Sequence, residues 1–149
     1  MQESVKHEQR LDRLPVFLME QIVKRYRVIA QQALREARAG ITVDQWVVLK
    51  QISENNGCSK VEIGQSTVKD APTTTRIIDQ LVSKNLVSKQ LDPEDRRRYM
   101  VFTTEKGGQL IERLLPVVQR YREIPLRGFY PAQKEQLQIS LQRMLRNLE

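Results

Sequence analysis

Apolar residues recur at helical spacing along most of this chain. Leu11, Leu14, Leu18, Ile22, Tyr26 and Ile29 fall three or four apart, which aligns one face of a long amphipathic helix running to a break at Gly40. Thr42 followed by Gln45 forms a capping box ahead of a second helix with Trp46, Val47, Leu49 and Ile52. Ser59 and Glu62 repeat that signal for a short helix carrying Val61, Ile63 and the small Gly64, which permits close helix approach. After a turn at Val68-Lys69-Asp70, Asp70 caps a helix with Pro72 in its first turn and Ile77, Ile78 and Leu81 facing the core. The period then changes. Val87-Ser88-Lys89-Gln90-Leu91 and Tyr99-Met100-Val101-Phe102-Thr103 are short β-branched and aromatic runs. They are separated by Asp92-Pro93-Glu94-Asp95-Arg96-Arg97-Arg98, which is rich in turn residues and predicts a hairpin. Leu110, Ile111, Leu114, Leu115, Val118 and Tyr121 mark another long helix, bent or broken near Pro116. A last helix starts near Pro131 and carries Leu137, Leu141, Leu145 and Leu148.

Two short helices followed by a hairpin predict a mainly α fold with a small antiparallel β wing, a winged helix-turn-helix. Such a unit places the N-terminal end of its second helix in a DNA major groove, and this helix offers Thr73, Thr74, Thr75 and Arg76 there. The wing carries Arg96, Arg97 and Arg98, cations suited to phosphates and to a narrow minor groove. A threonine-rich helix start with no ligand and a merely solvated arginine loop are the bland alternatives. Two such elements in direct succession favour DNA.

The residues from Glu62 through Pro72, Thr73, Arg76, Asp79 and Leu81, the Lys84-Asn85-Leu86-Val87 entry to the hairpin and Asp92-Pro93-x-Asp95-Arg96-Arg97 resemble the MarR (multiple antibiotic resistance regulator) family of winged helix-turn-helix transcription factors. Thr104-Glu-Lys-Gly107 and Ile41-Thr-x-x-Gln45-Trp46-x-Val48-Leu49 extend the resemblance over most of the chain. The resemblance implies that Asp95 holds Arg97 for the minor groove, and that Thr73, Thr75 and Arg76 meet the major groove or its phosphates. It implies a two-fold dimer built from intertwined terminal helices, and a small aromatic or anionic effector bound between those helices and the DNA-binding lobe. Phe17, Tyr26 and Trp46 are candidates to line that pocket, with ordinary core positions as the alternative. The chain departs from the family at Thr67 and Lys69, where apolar residues are common; Lys69 joins the candidate DNA contacts.

Residues 1–149 therefore read as one domain, with a DNA-binding lobe over 41–104 and dimerisation helices over 8–39 and 105–149. A winged module needs little more than the middle of the chain, so the apolar-striped ends suggest a homodimer interface; folding back onto their own core is the alternative. The formal charge of +7 and pI near 9.8 suit a polyanionic partner. Residues 59–98, however, hold eight Lys and Arg against six Asp and Glu, a net of only +2, so any basic surface must come from how the fold arranges its faces. With 40% apolar residues and no run of eighteen of them, no membrane span is expected. The polar start lacks a signal-peptide core, which points to the cytoplasm. The chain lacks a phosphate loop, a nucleophile elbow and a His/Cys cluster at zinc spacing, so neither an enzyme nor a cofactor or metal site is expected. His7 stands alone. Cys58, the only cysteine, reads as a small buried residue and not an oxidant sensor. The functional expectation is a homodimeric repressor of a pseudo-palindromic operator in double-stranded DNA, released by an effector. The runner-up is a winged-helix protein-interaction or adaptor module.

Overall fold

The computed structural model describes residues 10–149; His7, like residues 8 and 9 of the expected N-terminal dimerisation segment, lies outside them. A 3-10 turn, Leu11–Arg13, leads into helix α1, Pro15–Glu36. Pro15 holds the first helical position, where a missing N–H costs nothing, so the α-helix proper begins after Leu11 and Leu14. The break at Gly40 is real: Arg38 and Gly40 both take positive φ, and Arg113 donates to the carbonyl of Ala37 at 2.9 Å, closing the end of α1. Helix α2, Val43–Glu54, opens on the expected box, with Thr42 and Gln45 each bonding the other's backbone N–H at 3.2 Å.

The lobe continues through strand β1 (Cys58–Ser59), α3 (Lys60–Thr67), α4 (Ala71–Ser83), β2 (Val87–Leu91) and β3 (Tyr99–Thr103). The two hairpin strands have the bounds their sequence predicts, pairing from Val87 opposite Thr103 to Leu91 opposite Tyr99. The hairpin is not alone. Strand β1 joins it, with Cys58 opposite Val101, to give an antiparallel sheet in the order β1-β3-β2.

The core lies between α2, α3, α4 and the sheet, and is filled by Trp46, Leu49, Ile52, Ile63, Ile77, Leu81 and Val101. Ala30 and Leu34 of α1 and Leu114 and Val118 of α5 (Glu105–Glu123) extend it away from the lobe. Of the bend or break expected near Pro116, the break does not occur: α5 runs through it as one helix. One lost hydrogen bond is tolerated there because Leu114 and Val118, on either side, are fully buried. Thr104 caps this helix through the Gly107 N–H, and Gly107 is packed so closely that an added Cβ would lie 2.1 Å from the Leu86 carbonyl oxygen. A second 3-10 turn, Ile124–Leu126, leads to α6 (Pro131–Arg146). No residue of α6 is buried, and Leu148 falls past its end. Among the described residues, no helix is long and apolar enough to cross a membrane.

Candidate nucleic-acid interface

The helix-turn-helix is fixed by local bonds and one close contact. Ser59 Oγ accepts from the Glu62 N–H and Glu62 accepts from the Ser59 N–H, so the first turn of α3 is satisfied reciprocally. The helix ends where Val68 turns left-handed at φ 53°. Gly64 then faces the next helix: a Cβ there would lie 3.2 Å from both the Lys69 carbonyl oxygen and Thr74 Oγ1. Asp70 Oδ1 accepts from the Thr73 N–H at 2.8 Å and so starts α4. This hydrogen bond, with a second from the Thr73 hydroxyl, holds the Asp70 carboxyl below its ordinary value.

The first turn of α4 is thereby sorted into two faces. Thr74 is completely buried and its hydroxyl donates to the Asp70 carbonyl at 2.8 Å, which corrects its expected exposure to DNA. It stands three and four residues before Ile77 and Ile78 and shares their core-facing stripe. Arg76 is exposed, and with Pro72, Thr75 and Asp79 it lines a shallow outer groove. Thr73 and Thr75 are half-buried. Their hydroxyl protons go to Asp70 Oδ2 and the Ala71 carbonyl, so as bonded they present methyl groups and acceptor lone pairs; donating to a phosphate requires the hydroxyl to turn.

The wing divides its three arginines. Asp95 accepts from the Arg97 N–H and Nε, both at 3.1 Å, and from Nη2 at 3.4 Å. The Arg97 side-chain bonds, then its backbone bond, hold the Asp95 carboxyl below the usual carboxylate range. The Arg97 side chain remains 91% exposed. Arg98 instead braces the loop, its exposed side chain placing Nη2 3.3 Å from the carboxylate of buried Asp92. Arg96 is exposed and has no ion pair among the described residues.

Lys69 is not presented to solvent as expected. Its Nζ lies 2.7 Å from Asp44 Oδ1 and its side chain is only 17% exposed. Arg27 of α1 meets the other Asp44 oxygen at 2.9 Å. Burial on its own raises the Asp44 carboxyl, but bonds from Lys69 and Arg27 outweigh it and hold the group low. Asp44 thus ties α1 to the turn in front of α4. Nothing local announces this trio, whose members come from three separate elements.

The proposed effector aromatics do not form one site. Trp46 is 1% exposed and belongs to the core, which corrects its place in a pocket wall; its Nε1 has no hydrogen-bond partner among the described residues. Half-buried Tyr26 meets Tyr121 edge-on, with ring centroids 5.7 Å apart. Burial, with Tyr26 beside it, pushes the Tyr121 hydroxyl up to about 12. Phe17 is half-buried nine residues earlier on α1, about 13 Å along the axis. Cys58 is half-buried, not fully so, and burial raises its thiol above the ordinary value.

The MarR family model matches residues 41–99, the stretch from two residues before α2 to the first residue of β3. The transcriptional repressor NicR of Pseudomonas putida is 25% identical over 142 residues, covering 91% of this chain and 89% of that protein. The repressor IacR, also of Pseudomonas putida, is 29% identical over 142 residues, covering 95% and 84%. A solved structure of Bordetella bronchiseptica BpsR, whose DNA binding is regulated by 6-hydroxynicotinic acid, matches with a TM-score of 0.77 at 28% identity, covering 85% of this chain and 95% of that one. The motif, the near full-length relatives and the shared fold agree: residues 41–99 match the MarR family, and the chain is similar over most of its length to winged helix-turn-helix transcriptional regulators.

Proposed function

We propose that this regulator is a cytoplasmic homodimeric repressor that reads a pseudo-palindromic operator, with each α4 in a major groove and each wing in the adjacent minor groove. The observation that carries the reading is Arg97, a guanidinium 91% exposed yet already oriented by a bidentate carboxylate. A cation held ready in solvent loses little rotamer entropy on entering a groove. Arg76, exposed on the outer face of α4, is the candidate for base-edge recognition, with Thr73 and Thr75 beside it. Arg96 suits a phosphate.

The dimer reading rests on apolar surface the protomer leaves uncovered. Leu11, Val16, Ile22, Val23 and Val28 of the N-terminal segment are each more than half exposed, as is Leu145 of α6. An open groove of about 1250 Å³ between α1 and α5, lined in part by Val28, Ile29, Pro116 and Val117, offers a seat for a partner's helix. A small aromatic or anionic effector controls the spacing of the two lobes, a reading supported by the ligand regulation of BpsR. Such an effector must prefer one spacing, and DNA must weaken its binding by the same factor.

The test begins with selection of bound fragments from genomic DNA, which should return half-sites about 10 base pairs apart. Arg97→Ala should lower affinity and flatten its salt dependence by a slope of roughly 1, while Arg76→Ala should lose roughly 1–3 kcal/mol on the selected sequence and less on a scrambled one. Sedimentation equilibrium should report a dimer. Wild-type DNA binding in both variants, or full affinity in a monomer, overturns the proposal and favours a protein-interaction module.

A further inference from the structure

Lys89 belongs to neither of the DNA-reading groups described above, yet it joins them. It lies in the middle of β2, opposite Val101. Its Nζ is bonded to Asp79 Oδ1 on α4, and it stands 5.4 Å from the centroid of the Tyr99 ring on β3. Tyr99 is its diagonal neighbour across the hairpin, two residues before the direct partner, within the reach of a long side chain. One ammonium therefore spans the recognition helix and both wing strands. Asp79 lines the same outer groove as Thr75 and Arg76, four and three residues after them and so on the same helical face. The pair is fixed on the face that carries Arg76, and the strands it grips lead to the loop that carries Arg97.

We propose that Lys89, held by Asp79 and Tyr99, is a positioning residue that locks the wing against α4 so that Arg76 and Arg97 engage their two grooves in one register. This rests on the groove roles proposed above for those two arginines. A competing role is available to the same residues, in which Lys89 only cancels the negative charge of Asp79 on a surface that meets a polyanion. The two roles predict opposite signs for one substitution. Asp79→Asn removes a negative charge, which by electrostatics alone strengthens binding to DNA. It also removes the anchor of the clamp, which weakens binding by letting the wing shift relative to the helix.

The experiment measures dissociation constants of the full-length protein on its selected operator at two salt concentrations. It compares wild type, Asp79→Asn, Arg97→Ala and their double variant, with Arg76→Ala alongside. The partly exposed ion pair that the substitution removes sets the scale: Asp79→Asn should weaken operator binding by roughly two- to fivefold. Arg97→Ala should cost clearly less in the Asp79→Asn background than in wild type, because an unanchored wing already delivers its arginine poorly. Lys89→Arg, which keeps the cation, should retain near wild-type binding. Tyr99→Leu, which keeps the ion pair, should weaken binding in the same non-additive way, and melting curves should show each variant folded. Binding by Asp79→Asn as tight as wild type or tighter, or losses that simply add to those of Arg97→Ala, overturns the clamp while leaving the groove roles intact. If Arg97→Ala and Arg76→Ala themselves bind like wild type, the groove roles fail first and the clamp fails with them.

Discussion

Gly107 and Gly108 are adjacent, both in the first turns of α5, and alanine should have opposite effects at the two. At Gly107 a Cβ would sit 2.1 Å from the Leu86 carbonyl oxygen and 3.0 Å from Thr103 Cγ2. The oxygen is main-chain and already accepts from the Thr104 N–H at 3.1 Å, so it cannot rotate away as a side chain would. Overpacking costs about 1–3 kcal/mol, and a backbone obstacle places this site at the upper end. Loss of the Thr104 bond adds about 1 kcal/mol, and alanine's better helix propensity returns about 1 kcal/mol. The net is a destabilisation of about 3 kcal/mol. For a domain of this size that lowers the melting temperature by about 6–12 °C. At Gly108 nothing lies within 4 Å of the added Cβ, so propensity acts unopposed and the melting temperature should rise by about 2–4 °C. Differential scanning calorimetry of both variants decides it, with protein concentration held fixed because association itself shifts the transition. A Gly107→Ala protein that melts at or above wild type would refute the packing argument.

The remaining predictions concern Asp44 and Cys58. The folded Asp44 carboxyl lies below its ordinary 3.8, so its ion pairs stabilise the fold above that value and are lost as pH falls through the lower, folded one. Acid unfolding below about pH 4 should therefore cost wild type more than Asp44→Asn, by about 1 kcal/mol after solvent screening of a carboxylate 37% exposed; equal acid sensitivity would remove the trio from the stability account. Burial raises the Cys58 thiol, so a thiol reagent at pH 8 should label it more slowly than a small free thiol, and Cys58→Ser should leave operator binding under peroxide unchanged; rapid labelling would restore the redox reading.

What the sequence made legible divides by distance along the chain. The caps at Thr42, Ser59, Asp70 and Thr104 join residues three apart, so each is written where it acts. The wing strands were equally plain, because β-branched runs met strong turn residues at both bounds. Thr74 is legible through its spacing from Ile77 and Ile78, which assigns it to the core stripe although its side chain is polar. Trp46 shares that lesson, lying in step with the buried positions of α2. Other features had no local sign. Strand β1 is two residues long and pairs with a segment more than forty positions away, and Lys69 meets Asp44 across twenty-five residues. Lys89 and Asp79 are ten residues apart but on a strand and a helix, so no single periodicity aligns them. The passage of α5 through Pro116 depends on packing around the helix, which a propensity argument at one residue does not contain.

The short strand β1 has an effect out of proportion to its length. By pairing Cys58 with Val101 it staples the segment just before α3 to the strand that follows the wing loop. The Gly57 N–H on the Val101 carbonyl and the Thr103 N–H on Asn56 Oδ1 add two further ties at 2.9 Å and 2.8 Å. Both helices of the helix-turn-helix are thus enclosed in a loop whose ends are sewn together. Helix α4 cannot open outward from a free end, and separating it from the core requires giving up the sheet as well. The lobe should therefore open as one cooperative unit, and amide exchange at Ile77 and Leu81 should report the unfolding of the whole DNA-reading surface, not the fraying of one helix.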